Sequence, residues 1–322
     1  MYEVIHAKNE EQQTSNEQKA VQLEQATNHS NIADNKATTS APKPRRILTA
    51  KRASASRKRN FFAQYSQGRL LGTGSFGKVY AGIRLRDQLP VAIKYIPEET
   101  CRIVQQGSPN QNVPSEIFFQ KNLDHPNIIR LIEHHHFDKN YVLVFERPRV
   151  CVDLFDYLEN YENNAINEQD GKSIFREILN AVVYLEEQEI LHNDIKTENV
   201  IMDLSNGGMK AKLTDFGLSW HLTNQPITTF TGTVEFSPPE FHTTRQYDGR
   251  QATVWSLGCF LFDMLTGNPP FKSAKQAATQ PLRIPNHFSQ DLKNFLRIML
   301  KKRPNERANI TDLLDHPWLK TA

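Results

Sequence analysis

The chain has 322 residues, 38% of them hydrophobic and 23% charged, with a formal net charge of +3. That apolar content can fill a sizeable core, no run of about 18 apolar residues reads as a membrane span, and the opening "MYEVIHAKNE" lacks the basic-then-apolar order of a secretory signal. Three widely spaced cysteines, Cys101, Cys151 and Cys259, fit neither a disulfide framework nor a zinc site, so a reducing cytoplasmic or nuclear setting is expected, with no membrane partner.

The charge is uneven. Residues 1–60 carry 11 Lys and Arg against 6 Asp and Glu, a net +5, while the remainder carries 28 against 30, a net −2. This first segment is rich in Asn, Gln, Ala, Thr and Ser, has one aromatic residue (Tyr2) and shows no apolar periodicity. Such a segment buries too little surface to offset its ordering entropy, so residues 1–60 are expected to be a disordered basic tail. Its end, "KPRRILTAKRASASRKR" (43–59), holds eight basic residues and no acid. It reads as a solvated linker, or as a nuclear-localisation or nucleic-acid patch. Nucleic acid is otherwise not an expected partner.

From Tyr65 the texture changes. "RLLGTGSFGKVYAGI" alternates around a glycine cluster, and "LPVAIKYI" reads as a strand. "VPSEIFFQKNL" reads as a short helix with Pro114 in its first turn. "YVLVFE" reads as a buried strand. "DGKSIFREILNAVVYLEEQ" sets Ile174, Ile178, Val182 and Leu185 at helical spacing on one face. "TVWSLGCFLFDML" is apolar nearly all round, as a central buried helix would be. "SQDLKNFLRIML" and "NITDLLDHPWL" read as short amphipathic helices capped by Ser289 and Asn309. The fold class is α+β, with a small β-rich part before a larger helical one, and no internal repeat.

Several stretches suit phosphate chemistry. Gly72, Gly74 and Gly77 fit G-x-G-x-x-G-x-V, a loop whose backbone N–H groups can approach phosphate oxygens. A dinucleotide-binding turn would need a helix next; "KVYAGI" reads as a strand instead, which favours a nucleotide-covering hairpin. Lys94 in "VAIK" can hold phosphates if an acid orients it, and Glu116, 22 residues on, lies on the predicted helix. In "ILHNDIKTENVIMD", Asp194 can accept a hydroxyl proton, Lys196 can neutralise phosphoryl charge, and Asn199 offers a neutral oxygen to a divalent cation. "KLTDFGLS" adds the Asp215 carboxylate, and hard cations favour such oxygens. The run His134–His136 lies on a predicted strand, where neighbours face opposite ways, so a shared metal is not expected there. Trp255 and Trp318 read as core.

Taken in order, "GTGSFGKV", "VAIK", Glu116, "HNDIKTEN", "DFG", "SPPE" and "VWSLG" resemble a eukaryotic protein kinase over residues 65–320. The resemblance implies a bilobal fold with an N-lobe at 61–146 and a hinge and C-lobe at 147–322. It implies ATP and Mg²⁺ as cofactors and protein substrates as partners. Leu71, Gly72, Thr73, Gly74, Ser75, Gly77, Val79, Ala92, Lys94, Glu116 and Glu146 would form the nucleotide site, with Val79 and Ala92 sandwiching adenine and Phe145 as gatekeeper. Asp194 would be the catalytic base, assisted by Lys196 and Lys94, and Asn199 with Asp215 would hold the metal. Glu240 would pair with Arg307, and Thr233 would support the loop. Lys196 in "DIKTEN" resembles the serine/threonine type.

"GIRLRDQLPVAIKYI", "VPSEI", "FERPRVCVDLFDYL", "EFSPPEF" and "ATVWSLGCFLFDMLTGNPPF" are similar to the Pim serine/threonine kinases. Pro148 in the hinge has no N–H, so one adenine donor is absent and modest ATP affinity is expected. The resemblance implies substrates with basic residues before the target Ser or Thr, read by Asp153, Asp156 and Glu198, since carboxylates bind Arg bidentately. For Asp153 and Asp156 the competing reading is that they merely favour a helix start. "KRASAS" itself resembles such a substrate, so autophosphorylation at Ser54 or Ser56 is expected.

Three positions depart from the family pattern. Asn193 replaces the Arg that binds an activating phosphate, so activity independent of activation-segment phosphorylation is expected. Thr253 replaces an Asp, as in the Pim kinases. Gln120 puts a polar group where an apolar one is usual, which either weakens the active assembly or is a partly solvated side chain. Together they raise the alternative of a catalytically weak pseudokinase acting as a scaffold. A monomer is expected.

Overall fold

In the computed structural model the residues described are 45–74, 77–104, 113–205 and 207–320. Both lobes of the fold lie in the compact unit Thr49–Ala322. Five antiparallel strands make the first lobe, in the order β1 (Tyr65–Gly74), β2 (Gly77–Arg84), β3 (Leu89–Pro97), β7 (Asn140–Glu146), β6 (Leu131–Phe137). The glycine cluster thus joins two strands, as its sequence suggests. Gly77 has φ +141°, and a Cβ there would come within 1.9 Å of the Tyr95 carbonyl oxygen, so only glycine fits.

The pleat divides the sheet chemically. Val91 and Ile93 pack with Phe61, Tyr65, Phe137, Val142 and Val144 on one face. Ala92 and Lys94 alternate to the other, opposite Ala81 and Val79 of β2 and Phe145 and Leu143 of β7. A short pair, β4 (Ile103–Val104) and β5 (Val113–Pro114), leads into helix α2 (Ser115–Gln120). Pro114 stands as its N-cap rather than inside its first turn.

The expected disorder up to residue 60 does not hold for its last part. Helix α1 spans Arg45–Phe62. Arg57 Nε donates to the His136 carbonyl (2.7 Å), Lys58 pairs with Asp138 (2.6 Å), and Phe61 is fully buried. The sequence of α1 is rich in Ala, Arg and Lys, which favour helix, and among its described side chains, 51–62, the apolar anchor is Phe61 near the end. The rest of the expected tail, including Lys43 and Pro44 of the basic run, lies outside the described residues.

The second lobe holds the main core. Helix α4 (Glu168–Glu187) buries Ile174, Ile178, Val182 and Leu185 on one face, as their spacing predicts. Against it lies α6 (Gly249–Thr266), buried almost all round, with Trp255 fully enclosed. Between β8 (Cys151–Asp153) and α4 comes the single turn α3 (Leu154–Leu158). β9 (Ile190–Leu191), β10 (Val200–Asp203) and β11 (Lys210–Leu213) frame the loop of interest, with β12 (Trp220–His221) paired to β9. The remaining helices are α5 (Pro239–Thr244), α7 (Ala274–Thr279), α8 (Gln290–Met299), α9 (Ile310–Leu313) and α10 (Pro317–Lys320). Ser289 caps α8 through Leu292 N. The expected last helix is two, because Pro317 interrupts it, and Asn309 bonds the Asp312 carboxylate instead of capping.

Candidate active site

Lys94 leaves the cleft face of β3 and meets Glu116 from α2 at 2.8 Å and Asp215 at 3.2 Å. Burial works against the ammonium charge, but the two carboxylates outweigh it and hold Lys94 above its usual range. Burial also opposes the charge of Asp215, yet Lys94 and the Gly217 N–H hold that carboxyl below its usual range. Asp215 has φ 64° and caps the turn that follows it. Ser115, fully buried at the start of α2, donates to the Gly217 carbonyl at 3.0 Å, which ties α2 directly to this turn.

The Asp194 carboxylate is held at both oxygens. Oδ2 accepts from Asn199 Nδ2 at 2.8 Å and lies 3.1 Å from Lys196 Nζ. Oδ1 accepts from the Thr233 hydroxyl at 2.7 Å and its N–H at 3.1 Å. His192 is buried, and burial depresses its pKa. Its neutral ring donates from Nε2 to the Thr214 carbonyl and accepts at Nδ1 from Asp194 N. It also packs edge-on against Phe216. The loop is therefore fixed from below by β9 to β11 and from the side by Thr233.

Around Lys94, Val79 and Ala92 are half-buried apolar residues on the same face, with Gly72 opposite Val79. Leu71, Thr73 and Gly74 are exposed at the mouth. Ser75 lies outside the described residues. Glu146 closes β7 and accepts from Lys212 at 2.6 Å. The expected pair forms: Arg307 reaches both oxygens of Glu240, at 2.8 and 2.6 Å, fully buried.

A model of the protein kinase domain matches residues 65–319. The serine/threonine-protein kinase pim-2 of Danio rerio is 34% identical over 85% of this chain and 89% of its own length. The serine/threonine-protein kinase prk-2 of Caenorhabditis elegans is 34% identical over 78% of this chain and 57% of its own length. An Aurora kinase of Dictyostelium discoideum is 32% identical over 79% and 65%.

The chain belongs to the protein kinase family. It is a serine/threonine protein kinase that resembles the Pim group, with the β-rich and helical lobes of the family. ATP is the donor such a domain binds.

The family departures take physical form in this kinase. Asn193, with φ 66°, donates from Nδ2 to the Leu218 carbonyl at 3.1 Å. Asn tolerates that left-handed backbone better than most residues. Gly232 approaches the Asn193 carbonyl so closely, at φ +134°, that a Cβ would lie 2.3 Å from it. Thr253 turns back to the Gly249 carbonyl of its own helix. Gln120 is not partly solvated: it is 1% exposed and donates to the Ile129 carbonyl at 2.6 Å. Its Oε1 has no hydrogen-bond partner among the described residues.

Arg102, just before β4, carries no sequence signal. Its guanidinium donates to the Leu218 and Ser219 carbonyls (3.4 and 3.3 Å) and lies 3.9 Å over the Trp220 ring. With β12 paired to β9, Leu222 N bonded to Glu189 O, and Ile227 bridged to Tyr247, the segment from Asp215 to Thr233 is tied at successive points.

Of the acids expected to read substrates, Asp153 caps α3 through Asp156 N, which fits the helix-start reading, and Asp156 and Glu198 are exposed. Burial, with Asp156 and Glu198 adding repulsion, nonetheless pushes Asp153 up to about 6. Burial and Glu198 do the same to Asp263 on α6, also to about 6. The end of β8, helix α3, the loop before β10 and α6 thus bring Asp153, Asp156, Glu198 and Asp263 into one negative field. In the sequence Asp263 is only a lone acid inside "CFLFDML".

Proposed function

We propose that this kinase transfers the γ-phosphoryl group of ATP to Ser or Thr preceded by Arg or Lys, without needing a phosphate on residues 215–240. The observation that carries it is the assembled state of the site: Lys94, Glu116 and Asp215 in contact, and Asp194 held at both oxygens by Asn199, Lys196 and Thr233. Asp194 would accept the proton of the substrate hydroxyl, and Lys196 would neutralise charge on the transferred group. Lys94, oriented by Glu116, would hold the non-transferred phosphates. Most of the rate enhancement would come from positioning and fixed charge.

A divalent cation fits the residues present. Asn199 spends its amide nitrogen on Asp194, which leaves its oxygen, and Asp215 adds a carboxylate. Both are hard oxygen donors of the kind Mg²⁺ takes. When bound there, Mg²⁺ would offset the negative charge of the phosphates.

The half-buried apolar face around Val79 and Ala92 would take adenine, and Pro148 would leave one hinge donor missing. Asp153, Asp156, Glu198 and Asp263 would favour Arg and Lys over neutral residues. Arg102, Asn193 and the β9–β12 pair would seat the activation segment in place of a phosphate. Asn193, Gln120 and Thr253 make the case for a weak scaffold, but each is accommodated without disturbing Lys94, Asp194, Asn199 or Asp215. A positional peptide library tests the specificity. Strong selection for Arg or Lys before the acceptor is expected, and indifference to basic residues refutes it.

A further inference from the structure

Ser54 sits on the face of α1 that meets the turn between β6 and β7. Its hydroxyl accepts from Asp138 N at 2.9 Å and lies 3.4 Å from the Asp138 carboxylate. Asp138 and Lys139 form that turn with positive φ values of 49° and 59°, which directs the Asp138 N–H and carboxylate toward the helix. Lys58, one turn after Ser54, neutralises Asp138 at 2.6 Å. The middle of α1 is therefore seated by three polar contacts: Ser54 and Lys58 on Asp138, and Arg57 on the His136 carbonyl. Among the described side chains of α1, apolar burial enters at Phe61, beyond them.

Ser54 is also preceded by Lys51 and Arg52. We propose that Ser54 is a phosphoacceptor of this kinase and that its phosphate unseats the middle of α1 from the β6–β7 turn. The acceptor half of the proposal rests on the reading of basic substrates as preferred. Helix α1 packs on the sheet face opposite to that bearing Lys94, so the acting molecule is a second copy of the chain. In that step Ser54 Oγ attacks the γ-phosphorus of ATP. The new Oγ–P bond replaces the bond to the β,γ-bridging oxygen, ADP leaves, and the hydroxyl proton passes to Asp194 of the acting copy.

The consequence is electrostatic. Phosphoserine brings a charge of about −1.5 to −2 at neutral pH, placed against a carboxylate that the seated helix needs. Lys58 can neutralise the phosphate or Asp138, not both. Either the Lys58–Asp138 pair is broken or the phosphate faces the Asp138 carboxylate without a counter-charge, so the seating on Asp138 weakens in both cases, while Phe61 keeps the end of the helix in place. Release would also withdraw Lys58 from the wall of a hollow of about 640 Å³ that Thr73, Gly74 and Gly77 line as well. Because Ser54 is half-buried when seated, modification would capture the unseated form and hold it.

The test uses the full chain, treated with phosphatase and then incubated with ATP and Mg²⁺ beside an Arg-rich reporter peptide. Mass spectrometry maps the phosphate, and amide exchange reads residues 51–58. The expected result is phosphate on Ser54, absent when the chain is Asp194→Asn, with exchange at 51–58 faster by about tenfold or more. Asp138→Asn, which suits the positive φ, should remove most of that acceleration. A phosphorylated reporter with Ser54 unmodified overturns the proposal and leaves the substrate reading standing. Ser54 phosphate with unchanged exchange overturns the unseating. An unphosphorylated reporter overturns the substrate reading and the proposal together.

Discussion

Replacing Arg102 by Ala tests whether the activation segment is seated without a phosphate. Arg102 makes two long hydrogen bonds, at 3.3 and 3.4 Å, to carbonyls of residues 218 and 219. Bonds of this kind contribute about 0.5–1 kcal/mol each. The guanidinium also stacks over Trp220, a half-exposed ring, for about another 0.5–1 kcal/mol. The sum, about 2 kcal/mol, is a factor of about 30 in the equilibrium between seated and unseated segment. Amide exchange at Trp220, His221 and Leu222 should therefore rise by up to about thirtyfold while the segment stays mostly seated. The kcat/KM for an Arg-rich peptide, measured on phosphatase-treated protein, should fall with it. Arg102→Lys should not restore either quantity, because an ammonium lacks the planar face that the guanidinium lays over Trp220. Exchange and kcat/KM both unchanged in Arg102→Ala would show that this side chain does not seat the activation segment.

Other outcomes rest on the same kinds of contact. Arg307→Met leaves Glu240 buried and unpaired, which should cost about 3–5 kcal/mol and lower Tm by roughly 10 °C; thermal unfolding of Arg307→Met beside Arg307→Met/Glu240→Leu checks it, the double variant costing less than the single. Asp263→Asn and Glu198→Gln should each raise KM for a peptide with basic residues before the acceptor about tenfold, and leave a neutral peptide unaffected. Asp153 and Asp263 both titrate near 6, neutral below and charged above. KM for the basic peptide should therefore climb as pH falls from 7 to 5, and the neutral peptide should lack that rise. A pH profile identical for the two peptides would remove these acids from recognition.

The elements with strong periodicity are legible in the sequence alone. The glycine cluster reads as strand–loop–strand, and α4 shows its buried face in four residues at helical spacing. Lys94, Glu116, Asp194, Asn199 and Asp215 can be named because each has a chemical type that phosphate handling demands. What escapes are contacts with no local pattern. Helix α1 is one, because its polar contacts lie 79 to 84 residues away in sequence and its apolar anchor, Phe61, sits just past the basic run. Arg102 is another, because a single loop Arg carries no period and its partners are backbone carbonyls 116 and 117 residues on. Asp263 looks like a polar intrusion in an apolar helix until the fold sets it beside Glu198. Gln120 reads wrongly as partly solvated because the Ile129 carbonyl that receives its amide is invisible in the pattern.

We propose an assembled serine/threonine kinase that works without an activating phosphate on residues 215–240 and prefers basic substrates. The most direct measurement is transfer of labelled phosphate from ATP to an Arg-rich peptide by the full chain, after phosphatase treatment and with the activation segment checked by mass spectrometry. Robust transfer is expected, abolished in Lys94→Ala and Asp194→Asn and weak when the peptide's Arg residues are replaced by Ala; such a result would bear out the proposal. Transfer that appears only once Thr223, Thr228, Thr229 or Thr231 carries phosphate, or that persists in Asp194→Asn, would contradict it.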